Sequence, residues 1–413
     1  MKTKSNILLI FITMYCLFPF YINGIYIFQA SIIYAIAFSL LFYQLTNKQK
    51  KINTNNLVSV LFPIWLFLLL FIIVLFIHGS VDLSYTEQIT SFVKQVVILF
   101  VPLFFLTYKK FDYISVIELY IKAVSLYIIF SFILYIPIFR EFWLSVLYYS
   151  SSTQYELSTS PVYYSRFGLQ GFSGFRPAIL CSIAYIFSLY LMILKVSNSQ
   201  KIGSLRFYLP IILIGCFIYG RIGIVSCIAV SIFTLFFMLL KLKKIKLFFS
   251  VFIFISVIVC YVFYNINVLA SDYSALKWIF EPLLNFINNG ELSSGSTSQL
   301  QSMYIMPTES TLLFGDGKYT NIDGSYYMHT DVGFLRPIFF GGIFFTMAYY
   351  FIFIYPLYHS IFSSKITHGF YLFSCLIIML CVFEIKGESL ISFLAVLYPF
   401  LILPLFNIRK YED

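Results

Sequence analysis

Charge is scarce in this chain: only 11% of its 413 residues are Asp, Glu, Lys or Arg, against 61% hydrophobic and 21% aromatic. A soluble domain cannot bury that much apolar surface, which excludes an ordinary globular protein. Histidine is rarer still, with four residues, and no His/Cys/Asp cluster has metal-ligand spacing, so no metal is expected. The seven cysteines, Cys16, Cys181, Cys216, Cys227, Cys260, Cys375 and Cys381, fall inside apolar runs without CxxC spacing. They read as small buried hydrophobes rather than as disulfide or metal partners. Neither a P-loop nor a GxGxxG strand-to-helix turn occurs, which leaves nucleotide-driven chemistry and a nucleotide cofactor unsupported. An internal repeat is also missing. The first apolar run follows Lys2 and Lys4 but precedes no small-residue cleavage site, so it is expected to persist as a first helix.

Long apolar runs make up the remainder. With 1.5 Å of rise per residue and about 30 Å of hydrocarbon to cross, about 17 to 25 apolar residues make a candidate span. Twelve runs are read as spans, at 5–22, 25–45, 57–77, 92–107, 116–138, 175–194, 207–219, 222–240, 246–266, 333–357, 367–384 and 388–405, of which 92–107 and 207–219 fall short of that length. The expected fold is therefore an all-α polytopic membrane protein, a single transmembrane domain over residues 1–413. The 27 Lys and Arg exceed the 17 Asp and Glu by ten, an excess that in a membrane protein sets topology rather than binding nucleic acid. With the N-terminus inside, 17 of the basic residues fall on the inner side, 9 on the outer side and Lys122 within a span. Both termini are then cytoplasmic. Two outer segments, 139–174 and 267–332, are too long to be simple turns and are where function is expected. Their tyrosines include Tyr148, Tyr149, Tyr155, Tyr163 and Tyr164 in the first and Tyr304, Tyr319, Tyr326 and Tyr327 in the second. Such residues serve either an interfacial aromatic belt or the stacking of sugar rings. Within the second segment, 273–288 has the spacing of a helix lying along the interface.

Lysine and arginine divide oppositely on this topology. Only Arg206 and Arg409 are inside, while Arg140, Arg166, Arg176, Arg221 and Arg336 are outside. Topology needs no arginine there, and the planar guanidinium fork grips phosphate or carboxylate in two places. The outward face thus reads as built to hold an anion, although any single arginine could instead touch headgroups or loop carboxylates. Arg176 stands beside Pro177 at a helix start, where a cation is unfavourable unless an anion is bound. Arg221 interrupts a 34-residue apolar stretch, 207–240, too short for two full spans and a turn, so it is expected to be recessed, where an unpaired charge is costly. The stretch 312–342 brings His329, Asp331 and Arg336 to the entry of the tenth span. His329 would accept a hydroxyl proton near neutral pH and Asp331 would orient it, unless His329 is an ordinary solvated residue. The turn 384–388, EIKGE, reads as charges that solvate a tight connection.

Three patches, in order, carry a resemblance: RFGLQGFSGFRPAIL at 166–180, YGRIGIVS at 219–226, and LFGDGKY at 313–319 followed by HTDVGFLRPIFFGG at 329–342. With the twelve-span layout, they resemble the O-antigen and capsule repeat-unit polymerases (Wzy type), which are related to the O-antigen ligases (WaaL type). The resemblance implies a GT-C-like membrane glycosyltransferase that needs no metal or cofactor. Its substrate would be undecaprenyl-diphosphate-linked oligosaccharide at the outer face of a bacterial cytoplasmic membrane. Membrane lipids, a chain-length regulator and a flippase are the partners it implies. Arg166, Arg176, Arg221 and Arg336 would clamp the diphosphate, and His329 would be the base. The ligase pattern has Asn after that His whereas Thr330-Asp331 follows here, so Asp331 is an alternative base. A ligase that transfers finished polymer and a polysaccharide flippase are the rival functions.

Overall fold

The computed structural model describes residues 7–46, 54–107, 112–160, 166–172, 174–241, 281, 284–290 and 293–405. Among them are α1 (Ile7–Leu17), α2 (Tyr26–Thr46), α3 (Thr54–His78), α4 (Thr86–Thr107), α5 (Tyr113–Ile133), α6 (Pro137–Val146) and α7 (Ser152–Thr159). A two-stranded antiparallel hairpin follows, β1 (Phe167–Gly168) and β2 (Gly171–Phe172). Then come α8 (Arg176–Ser197), α9 (Leu205–Tyr219), α10 (Arg221–Leu240), the short helices α11 (Gly295–Ser302) and α12 (Glu309–Phe314), α13 (Leu335–Ser363), α14 (Gly369–Glu384) and α15 (Leu390–Leu397). The span read at 246–266, Cys260, Tyr163, Tyr164 and most of 273–288 lie outside the described residues.

Five described segments are long and apolar enough to cross a membrane: Leu83–Phe104, α5, α8, α10 and α13. Shorter apolar helices cover Ile7–Leu17, Tyr26–Leu40, Phe62–His78, Leu205–Tyr219, Gly369–Glu384 and Leu390–Leu405. Of the first expected span, 5–22, the described helix covers eleven residues, about 16 Å, and ends at Leu17 rather than at 22. Pro19 explains the stop, because the residue before a proline is pushed out of the helical region and the helix ends one residue earlier still. Near the other end of the chain, Pro399 cannot donate to a helical ladder, and a π turn, Tyr398–Ile402, follows α15.

The core is centred on α8, where only Met192 escapes burial between Pro177 and Leu194. A helix apolar all round belongs in the interior, and α8 packs against α5, α9, α10, α14 and α15. Phe76 on α3 and Phe344 and Phe351 on α13 are by contrast 84%, 69% and 66% exposed. Large apolar side chains turned outward from long helices suit a lipid surround. Cys381 is exposed too, unlike the other described cysteines, so the expectation of burial fails there.

Connections sort to two ends. At one, the Tyr190 hydroxyl donates to the Thr367 carbonyl (3.0 Å), Ser197 bonds His368 (2.8 Å), and the Ser364 hydroxyl donates to the Leu405 carbonyl (2.9 Å). At the other, the Tyr148 amide donates to the Tyr21 carbonyl (2.8 Å), and Trp143 Nε1 donates to the Leu169 carbonyl (2.8 Å). There too the Tyr304 hydroxyl reaches the Ile385 carbonyl (2.9 Å) and the Gly333 amide reaches the Glu384 carbonyl (2.9 Å). This second end gathers the described parts of both long segments, and we call it the loop end.

A kink in α13 seats the longer loop. Gly342 sits at φ 79°, where a side chain is disfavoured and a Cβ would fall on the Leu313 carbonyl. Breaking the ladder there leaves the Phe339 and Phe340 carbonyls for other donors, and the amides of Asp316 (2.7 Å) and Gly317 (3.0 Å) take them. The FGDG and FFGG motifs thus dock on each other.

Candidate functional site

Asp82, in the α3–α4 connection, anchors the loop from below. Its carboxylate accepts from Ser84, from the Thr320 amide (2.7 Å) and hydroxyl (2.6 Å), and from the Tyr319 amide (3.2 Å). Burial acts to raise its pKa, but these hydrogen bonds outweigh burial and hold the carboxyl well below the usual range. The anchored loop lays Tyr319 and Tyr326 over Arg336, with ring centroids 3.9 and 3.8 Å from the guanidinium carbon. Glu388 completes the enclosure: its Oε2 lies 3.2 Å from Arg336 Nη1 and accepts the Tyr319 hydroxyl at 2.6 Å. Only 5% of the Arg336 side chain and 2% of the Glu388 side chain are exposed. Arg336, expected to grip a diphosphate, is therefore a buried, neutralised cation between two tyrosine faces. Its role here is to fasten the loop to the turn at 384–389.

That turn corrects the expectation that its charges are merely solvated. Glu384 is 4% exposed and accepts from the Ser389 amide and hydroxyl and the Leu390 amide, each at 2.7 Å, and also from the Tyr350 hydroxyl. It satisfies the first amides of α15 as a capping group from outside the helix. Lys386 is half-buried, with Arg166, Arg221 and Asp331 as its charged neighbours. Burial lowers its pKa first, the two arginines lower it further, and Asp331 opposes them.

Asp331, from the longer loop, lies against the same turn. A Cβ on Gly387 would come 3.6 Å from Asp331 Oδ1 and would press on the ring of Phe175, the residue before Arg176. Burial raises the Asp331 pKa, while Arg336 and Lys386 act to lower it. A carboxylate that is harder to ionise than usual, yet flanked by cations, is suited to taking up and releasing a proton. His329 differs. It is exposed, its backbone is at φ 51°, and its Nδ1 lies 3.4 Å from Ser325 Oγ, in the neighbourhood of Asp323. The expected Asp331–His329 pair is not formed.

Arg221 begins α10 at a turn made tight by Gly223, whose Cβ would lie 2.7 Å from the Cys216 carbonyl. Its position is half-buried, in keeping with the recessed site expected from the short apolar stretch. Its guanidinium bonds Glu281 and the Ser296 hydroxyl (3.2 Å), tying α10 to the longer loop. Burial acts to raise the Glu281 pKa, but the Gly295 amide and Arg221 prevail and hold it below the ordinary value. Arg176 stands apart from this cluster, with Nη2 3.5 Å from the Leu17 carbonyl and with Tyr21, Tyr120 and Tyr127 around it.

The four outer arginines read as one clamp thus occupy three places. Arg166 and Arg221 share Lys386, Arg176 faces α1, and Arg336 is enclosed by Glu388 and two tyrosines. Sequence reading missed Lys386, Glu388, Glu281 and Asp82. The first two were visible in EIKGE, since alternating charge beside two apolar helices costs energy unless partners await it. No group of three His, Cys, Asp or Glu residues placed to hold a metal occurs among the described residues. Comparison of the chain with family models, with curated proteins and with solved structures returned no match.

Proposed function

We propose that the chain is a membrane glycosyltransferase that joins undecaprenyl-diphosphate-linked oligosaccharide repeat units into an O-antigen or capsular polysaccharide. It acts on the outer face of a bacterial cytoplasmic membrane, with both termini cytoplasmic and, counting 246–266, twelve spans in a GT-C-like arrangement. The observation that carries this reading is Lys386 at the loop end, half-buried, with Arg166 and Arg221 as its cationic neighbours and the half-buried carboxylate of Asp331 beside it. Glu281 pairs with Arg221 and Asp331 lies by Lys386, yet burial and the two arginines still disfavour the charged Lys386, and an added anion relieves that.

A departing lipid diphosphate is such an anion. As the acceptor hydroxyl oxygen bonds the anomeric carbon, the bond from that carbon to the diphosphate oxygen breaks and its electron pair leaves with the lipid diphosphate. Arg166, Arg221 and Lys386 stabilise the charge that develops there. The hydroxyl proton passes to Asp331, whose environment suits a base better than the exposed surroundings of His329. Arg336 acts indirectly, by holding the loop that presents Asp331.

A glycan gel from a deletion strain tests the assignment. Single repeat units left on the lipid carrier are the expected result. Intact polymer that fails to reach its final acceptor would point to a ligase, and units trapped inside the cell would point to a flippase.

A further inference from the structure

An apolar cavity of about 450 Å³ opens between α1, α2 and α4, lined by residues that include Phe11, Met14, Cys16, Ile33, Ile36 and Val101. Its volume is that of a pocket for a small ligand or for part of a long one. Its wall on α1 runs from Phe11 to Cys16 and continues past the bend at Pro19 to Phe20, facing Ile33 and Ile36 of α2 and Val101 of α4. Arg176 lies beside the loop-end terminus of α1, the helix that forms one wall of the cavity. Among the described residues the guanidinium makes one long hydrogen bond, to the carbonyl of Leu17, next to the lining residue Cys16. Among the described residues no carboxylate lies within ion-pairing distance of it. A cation with five donors, without a counter-charge, near one apolar cavity has the complementarity of a lipid with an anionic head. One cavity near one guanidinium matches a single-chain anion better than a two-chain glycerophospholipid.

Arg176 and Lys386 do not share electrostatic neighbours, tyrosines surrounding the first and Arg166, Arg221 and Asp331 the second. The adjoining residue Phe175 packs against Gly387 and against the ring of Phe383 at 6.3 Å, and so stands between them. A polymerase needs two lipid-linked substrates, a donor and an acceptor. We propose that Arg176 and the α1–α2–α4 cavity form a second lipid site, taking the polyprenyl diphosphate of one of these substrates, apart from the site at Arg166, Arg221 and Lys386. This proposal rests on the glycan-joining reading.

The test uses the full chain in nanodiscs and an undecaprenyl diphosphate with a photoreactive diazirine in its tail. Labelling is expected on peptides of α1 and α2, displaced by unlabelled undecaprenyl diphosphate and not by excess phosphatidylglycerol. Ile36→Trp, which fills the cavity from a position 44% exposed and so tolerant of bulk, should weaken that labelling about tenfold, as should Arg176→Gln. Equal displacement by phosphatidylglycerol would mean ordinary bilayer lipid occupies the groove and would overturn the proposal. Labelling confined to other helices would overturn it as well, while leaving the glycan-joining reading intact. Failure of the wild-type chain to bind undecaprenyl diphosphate anywhere would remove that reading along with the second site.

Discussion

Replacing Glu388 by Gln removes the counter-charge from a guanidinium whose side chain is only 5% exposed, and the size of the effect follows from that enclosure. The amide of Gln still accepts a hydrogen bond, so the loss is dominated by charge. An ion pair broken from one side in a buried site costs about 3–5 kcal/mol, because the remaining charge keeps its desolvation penalty and loses its partner. Tyr319 and Tyr326 lower that cost by a fraction, since each ring face attracts the cation with about 0.5–2 kcal/mol. A net loss of about 2–4 kcal/mol is expected for Glu388→Gln and for Arg336→Met alike. Arg336→Met with Glu388→Gln leaves neither charge stranded, so the double variant should be less destabilised than the two singles added together, by at least about 1 kcal/mol. Equilibrium unfolding in mixed micelles, followed by tryptophan fluorescence, measures all three. If the single variants are as stable as the parent, or if their costs simply add, the enclosed pair does not hold the loop. An Arg336→Lys variant that keeps its stability while losing donor affinity would return Arg336 to the diphosphate clamp.

Three further expectations follow from the same end of the molecule. If Asp331 accepts the acceptor's proton, Asp331→Asn should lower turnover by about 10²- to 10⁴-fold, while His329→Ala keeps most of it, as read by polymer formation from purified lipid-linked units; the reverse ranking would assign the base to His329. Lys386 has a lowered pKa, so its charge is lost below the usual lysine range and donor affinity should fall as pH rises through that value. Stability of the unliganded chain should rise over the window from that value to about 10.4, because there the unfolded chain binds the extra proton. Lys386→Arg, which stays charged, should abolish the alkaline fall in affinity measured by lipid-binding titration, and an unchanged profile would remove Lys386 from the anion site. An impermeant thiol reagent applied to intact cells should label Ile322→Cys, on the fully exposed tip of the long loop, and spare Lys201→Cys at the opposite end; the converse would invert the topology.

Much of the helical frame was legible because apolar runs at bilayer length leave few other structures available. The longer described helices overlap the runs read from sequence, whereas the short helices α6, α7, α11 and α12 lie almost wholly in the two segments read as long loops. Arg166, Arg221 and Arg336, read from sequence on one side, do lie at one end of the molecule, the loop end. What stayed hidden was pairing. Glu388 meets Arg336, Lys386 meets Arg166, and Asp82 meets Thr320 only after several helices have folded back, and no local spacing encodes such encounters. His329 misled for a related reason. Only Thr330 separates it from Asp331 in the chain, yet the left-handed conformations of Met328 and His329 turn that side chain to Ser325 while Asp331 lies beside Gly387.

Reconstitution decides whether the cationic end joins glycans. The purified chain in proteoliposomes, given undecaprenyl-diphosphate-linked repeat units alone, should yield a ladder of longer lipid-linked products with one undecaprenyl diphosphate released per bond formed. The ladder should disappear in Asp331→Asn and in Arg221→Lys. Repeat units that cross the bilayer unjoined, or that remain single with no lipid diphosphate released, would contradict it.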